Sequence, residues 1–268
     1  MSSGKPAFAI PVGVGGIGAP LQTKIAKTLP KKKFLLFSQN EYLKFHRNLD
    51  RENSYQAFSD THFGMAMGIT DDIMLTLKTS AVYRSGKIAG DNKDLRGLGE
   101  TRGLLQWRIK KARESENDPV SLMDVSFLLE IKAPTGDNRE KMRGGALFPE
   151  RMQLGSGSVD YSFGLAATED LGDLDFSFSG LYTINDEDNN YRFGNVLELS
   201  SRISLNLVDQ PRHTVSNFNL IGELTDFSKE KDVKNNMLLN ATGGNVLYAS
   251  AGVNAVLVDS FSIAALFQ

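Results

Sequence analysis

Cysteine is absent from the 268 residues. Disulfide frameworks, thiolate metal sites and cysteine nucleophiles are excluded together. Histidine is scarce: His46, His62 and His213 are the whole supply. No two of them have the i+2 or i+4 spacing of a metal-ligand pair. No apolar run reaches 18 residues, so no transmembrane helix is encoded. A net charge of −2 gives no pull on a polyanion such as nucleic acid. Mean hydropathy of −0.24 with 41% hydrophobic residues matches an ordinary soluble chain. A β-barrel whose strands each wet one face has a similar average, so that value excludes neither.

What the chain does have is alternation. In 73–84, Ile73, Leu75, Leu77, Ala81 and Tyr83 fall on one side of a strand. Thr76, Lys78, Ser80 and Arg84 fall on the other, because successive strand side chains point to opposite faces. The same sorting recurs in 122–133, where Met123, Val125, Phe127, Leu129 and Ile131 oppose Asp124, Ser126, Glu130 and Lys132. Eleven strands are predicted, at about 33–45, 57–70, 73–84, 99–111, 120–133, 157–168, 174–184, 191–207, 213–227, 245–258 and 260–268. The first is ambiguous, since Phe34-Leu35-Leu36-Phe37 is apolar on both faces.

Links between these strands alternate in length. Asp71-Asp72, 169–173, 208–212 and Asp259 are short, and 114–119 is of middling length. The stretches 46–56, 85–98, 134–156, 185–190 and 228–244 are longer. Short turns at one end and long loops at the other are the asymmetry of an outer-membrane barrel. The expected fold is therefore all-β: a transmembrane antiparallel up-and-down barrel of about twelve strands, eleven visible and a closing C-terminal strand missing. Residues 1–31 are expected to be a signal remnant and irregular periplasmic lead-in, and 32–268 the barrel. Ala7-Phe8-Ala9 has the small-x-small form of a signal-peptidase site, but no apolar stretch precedes it; chance is the other reading.

Other motifs are weaker. Gly13-Val14-Gly15-Gly16-Ile17-Gly18 matches the dinucleotide pattern, but Pro11 weakens the strand before it and no strand–helix alternation follows. A glycine-rich lead-in is the preferred reading. His62 and Ser59 are the nearest approach to a hydrolytic pair. Asn185–Asn190 is rich in oxygen but lacks the spaced Gly and closing Glu of a calcium loop, so it reads as a solvated hairpin.

The inward polar set carries the chemistry. Lys78, Arg84, Arg102, Arg108, Lys110 and Lys132 lie on strands three to five. Asp160, Asp175, Glu198 and Glu223 lie on strands six to nine, with Arg202 among them and Asp124 and Glu130 between the groups. These thirteen are the lumen-lining candidates. Opposed walls of charge set a transverse field in a pore; the same charges pairing with one another fill the interior instead. Met142, Leu147, Phe148 and Met152 give the loop 134–156 an apolar side able to fold inward or hold an apolar solute.

Several short segments, in order along the chain, resemble one family. They include Ala19-Pro20-Leu21-Gln22-Thr23 with Leu29-Pro30-Lys31-Lys32, and Gly68-Ile69-Thr70-Asp71-Asp72-Ile73-Met74-Leu75. Lys132-Ala133-Pro134-Thr135-Gly136-Asp137 and Gly155–Tyr161 follow, then Tyr191-Arg192-Phe193-Gly194, Gly222-Glu223-Leu224 and Thr242-Gly243-Gly244. The chain resembles the outer-membrane β-barrel proteins grouped under the heading "MetA-pathway of phenol degradation". The resemblance implies a bacterial outer-membrane location and passive passage of small compounds, aromatic or apolar ones among them. It supplies no catalytic residue. The expected partners are outer-membrane lipid and a small-molecule solute; no enzyme activity, cofactor, metal or nucleic acid is expected. A barrel-type lipid hydrolase and a soluble β-sandwich binding protein are the alternatives.

Overall fold

The computed structural model describes residues 12–13, 16–17, 23–44, 54–88, 91–111, 123–142, 145, 147–209, 215–240, 242–257 and 261–267. His46 and His213 lie outside these residues.

Twelve strands form one antiparallel sheet. They are β1 (Phe34–Lys44), β2 (Ser54–Gly68), β3 (Ile73–Ile88), β4 (Asp91–Leu98), β5 (Thr101–Lys110) and β6 (Met123–Ala133). β7 (Asp160–Asp170), β8 (Leu174–Ile184), β9 (Val196–Asp209), β10 (Val215–Lys229), β11 (Gly244–Leu257) and β12 (Phe261–Phe267) complete it. β4 and β5 both pair with β3, β5 along its first half and β4 along its second. They act as one interrupted strand, so the sheet has eleven staves, each bonded to its neighbours in sequence.

The result is an all-β, up-and-down sheet curled strongly into a half-barrel. Eleven alternating staves leave β1 and β12 running the same way, so an antiparallel ring does not close between them. Among the described residues these two strands form the open edges.

One expectation is corrected. The stretch 85–98 is not a long link: β3 continues to Ile88, and β4 returns along it from Asp91. Ser85-Gly86-Lys87 reads as a loop because glycine breaks the alternation. The ladder with the neighbouring backbone holds these three residues in the strand regardless.

The faces are inverted relative to a soluble sheet. In β6 the odd positions Met123, Phe127, Leu129 and Ile131 are exposed on the convex side. The even positions Asp124, Ser126, Leu128, Glu130 and Lys132 are buried on the concave side. β7 repeats the arrangement: Leu165 is 54% exposed and Asp160 only 4%. β1 also resolves. Phe34 and Leu36 point outward, while Leu35 packs inward with Ile25, Leu29, Ala66 and Met74.

Long loops gather at one end. Glu187–Asp188, Tyr191–Arg192, Val233–Lys234 and Met237–Leu238 make a small separate four-stranded sheet there. Asp232 is its fully buried anchor. It accepts hydrogen bonds from the Tyr191 hydroxyl at 2.7 Å and the Gly194 N–H at 2.8 Å. Lys229 Nζ lies 2.7 Å away.

Candidate functional site

The concave face is crossed by a strap, residues 23–31, that lies in no helix or strand and runs near the short-turn end. A strap outside the sheet has no ladder, so its buried backbone groups need other partners. Strand side chains provide them. Thr23 donates through its N–H and hydroxyl to Glu223 on β10, at 2.5 and 2.6 Å. Lys24 N–H donates to Ser179 on β8, and its ammonium lies 3.0 Å from Glu198 on β9. Ala26 N–H donates to Thr168 on β7, and Ser126 on β6 donates to the Ala26 carbonyl. Gln106 on β5 donates to the Ile25 and Lys27 carbonyls. Thr28 and Lys31 then bond to Asp71 in the β2–β3 turn. The strap thus touches staves from β10 round to β3 and floors the concave space.

Gly68 sets where the strap leaves the floor. A Cβ there would fall 2.2 Å from the Pro30 carbonyl oxygen, closer than side chains approach. The missing side chain lets Lys32 and Gly68 bond backbone to backbone at 2.9 Å.

At the other end, the loop between β6 and β7 folds inward. Phe148, Met152 and Leu154 are buried against Val82 and Leu95, with Phe58 and Met142 at the margin. Of the two readings of this loop's apolar side, the structure shows the inward fold, except that Leu147 stays 50% exposed. Gln153 pins the loop by bonding Glu140 and Phe148 backbone atoms.

Between floor and loop lies a cavity of about 380 Å³, with Lys24 on one side and Leu154 on the other. Its walls carry Lys78, Arg84, Arg102, Glu41, Asp60, Glu100, Glu130 and Glu198. All of these charges but Glu41 face an opposite one. Arg102 lies 2.8 Å from Glu130, and Lys78 lies 3.8 Å from the same carboxylate. Arg84 makes a forked pair with Asp60, one arm at 3.0 Å. Lys132 bridges Glu100 at 2.9 Å and Asp160. Glu41 lies 3.9 Å from His62 Nε2.

Lys78, Arg102 and Lys132 stand directly opposite one another on β3, β5 and β6. Like charges at such positions repel. The carboxylates of Glu100, Glu130 and Asp160 interleave with them. Glu100 and Glu130 thus sit among the cations, and the Lys132–Asp160 pair joins that wall to the acidic strands.

The remaining lining candidates sit as follows. Arg108 holds Asp72 at 2.8 Å in the β2–β3 turn and lies 3.8 Å from Asp124. Asp175 lies 3.7 Å from Lys27 of the strap, which also meets Asp170 at 3.0 Å. Glu223 receives Thr23, and Arg202 is buried one stave away, opposite it in register. Lys110 is exposed at the last position of β5, past a bulge, and joins none of the ion pairs seen among the described residues.

Sequence reasoning missed the strap residues Thr23, Lys24 and Lys27, and the counter-ions Asp60, Asp72 and Glu100. Asp60 was legible in principle, two residues from His62 on the same face. Nothing in 23–31 announces a crossing of the interior.

Two other motifs dissolve. Ser59 and His62 are three apart in a strand, which places them on opposite faces. Val12–Gly13 pairs antiparallel with Gly16–Ile17, whereas a dinucleotide site needs its glycines to open a helix. Among the described residues no group of His, Asp and Glu is placed to hold a metal ion.

The fold and this interior define a class: a barrel-like antiparallel sheet with an apolar convex face and a charged, floored concave face. No family model matches the chain, and no curated protein matches it.

Proposed function

We propose that the protein is an outer-membrane barrel that lets small molecules pass by diffusion through its polar interior. The observation that carries this reading is the inversion of the two faces. Water favours apolar side chains inside, yet here leucine and phenylalanine cover the outside and ion pairs fill the inside. Such a large apolar exterior marks contact with lipid or another apolar surface. Strands of 10–16 residues in most staves suit a crossing, which takes about 9–11 residues when tilted. The family resemblance points to the same place.

The full-length protein is expected to fractionate with membranes, to need detergent for extraction, and to migrate faster on SDS gels unheated than boiled. Recovery in the soluble fraction with no heat-dependent shift sinks the membrane reading. Planar bilayers then test passage, which calls for discrete conductance steps.

A further inference from the structure

Two coverings meet the cavity of about 380 Å³: the strap 23–31 below and the inward-folded β6–β7 loop above. Its size falls in the range of small-ligand pockets, roughly 300–1,000 Å³. We infer that this chamber is a binding site for a small, neutral, hydroxyl-rich solute, with the strap as the door at its floor. The inference rests on the channel reading for its biological sense, but not for its test.

The ligand class follows from the walls. The wall charges of both signs are interleaved, with Lys24 on Glu198, Lys78 and Arg102 sharing Glu130, Arg84 on Asp60, Glu100 on Lys132, and Glu41 beside His62. A net-charged solute meets like charge beside every opposite one and competes with an existing buried partner, which is costly. An aromatic or apolar solute displaces water from ion pairs and returns no hydrogen bonds. A neutral polyol does neither. Carboxylate oxygens keep lone pairs beyond their ion pair, and a guanidinium has five N–H groups. Arg102, 39% exposed and bonded through one nitrogen to Glu130, is the best-placed donor.

The door follows from the bonding. Its links to the barrel are made by side chains: hydrogen bonds at Glu223, Ser179, Thr168, Ser126 and Gln106, the Lys24–Glu198 pair, and packing of Ile25, Ala26 and Leu29 into two small apolar clusters. The staves are instead held by continuous backbone ladders. The strap is therefore able to leave without unzipping the sheet.

The cysteine-free chain makes the test clean, because an introduced thiol is the only one. Thr183 lines the chamber. Thr183→Cys in detergent-solubilised full-length protein is treated with a charged methanethiosulfonate reagent, alone and with glucose, phenol or sodium acetate. Glucose at about 100 mM is expected to slow labelling several-fold, with phenol and acetate without effect. Adding Thr23→Ala and Lys24→Ala is expected to speed labelling about tenfold, while gel mobility and trypsin resistance of the barrel stay unchanged.

Protection by phenol or acetate rather than glucose overturns the ligand class. Labelling unchanged by the strap substitutions overturns the door. A thiol at Thr183 that never reacts, confirmed with Ser80→Cys, overturns the chamber. Protection by glucose in a protein that shows no bilayer conductance leaves the chamber standing and removes the channel.

Discussion

Glu130 is the residue on which the interior charge balance turns. It is 3% exposed and faces both Arg102 and Lys78. Removing one member of a buried pair costs about 3–5 kcal/mol, chiefly because the partner stays charged and unpaired. Arg102 is 39% exposed and recovers some hydration, so the lower end applies. Glu130→Gln is expected to lower unfolding stability by about 3 kcal/mol, read from urea titrations in micelles. Adding Arg102→Gln should restore part of the loss. No restoration would show that Arg102 is not the stranded charge. Gly68 is a second such residue, since any Cβ there meets the Pro30 carbonyl oxygen. Gly68→Ala is expected to cost about 1–3 kcal/mol, as overpacking does, and to raise proteolysis within the strap.

Among the elements, the small outer sheet depends on the ionisation of Asp232. Burial alone would raise its pKa; hydrogen bonds from Lys229, the Gly194 N–H and Tyr191 outweigh that and hold it below the ordinary carboxylate value. A depressed folded pKa contributes stability above the unfolded pKa and loses it as pH falls through the folded one. Backbone amide exchange in the segment 230–240, taken relative to the intrinsic rate at each pH, is therefore expected to stay slow at neutral pH. Below the usual aspartate range it should accelerate. Asp232→Asn should exchange faster at neutral pH and show little pH dependence. A wild-type profile flat to pH 2 would separate this carboxylate from the loop sheet's stability.

The elements also differ in how legible they were. β6 and β7 carried their faces openly, because polar and apolar residues alternate without a break. β4 was hidden by glycines in the hairpin, where pairing with β3 overrides local preference. The strap was hidden for a different reason. Its partners lie 40 to 200 positions away and its bonds run mostly between backbone and side chain, so no periodicity records them. The lining candidates read as inward-facing and pairing among them is one of two readings of the sequence, but which charges meet is decided by register between strands.

For the whole molecule, the question is what solvent the convex face meets, and Leu165 separates the answers. It is the sixth of the eleven residues of β7, directly opposite the outward Phe127 in register. It is 54% exposed. In a water-soluble protein, a charged residue at so exposed a position changes stability by no more than about 0.5 kcal/mol. On the lipid face of a barrel, arginine near the bilayer midplane costs about 2–4 kcal/mol. Leu165→Arg, refolded into phospholipid vesicles and titrated with denaturant, is expected to show the larger loss. Leu171→Arg provides the control, because Leu171 is equally exposed but sits in the β7–β8 turn, where the membrane reading puts it in water. A large loss at 165 with little at 171 is the depth dependence that only a bilayer imposes. Equal, small effects at both positions would mean that water covers the convex face, and the inverted packing would need another apolar partner.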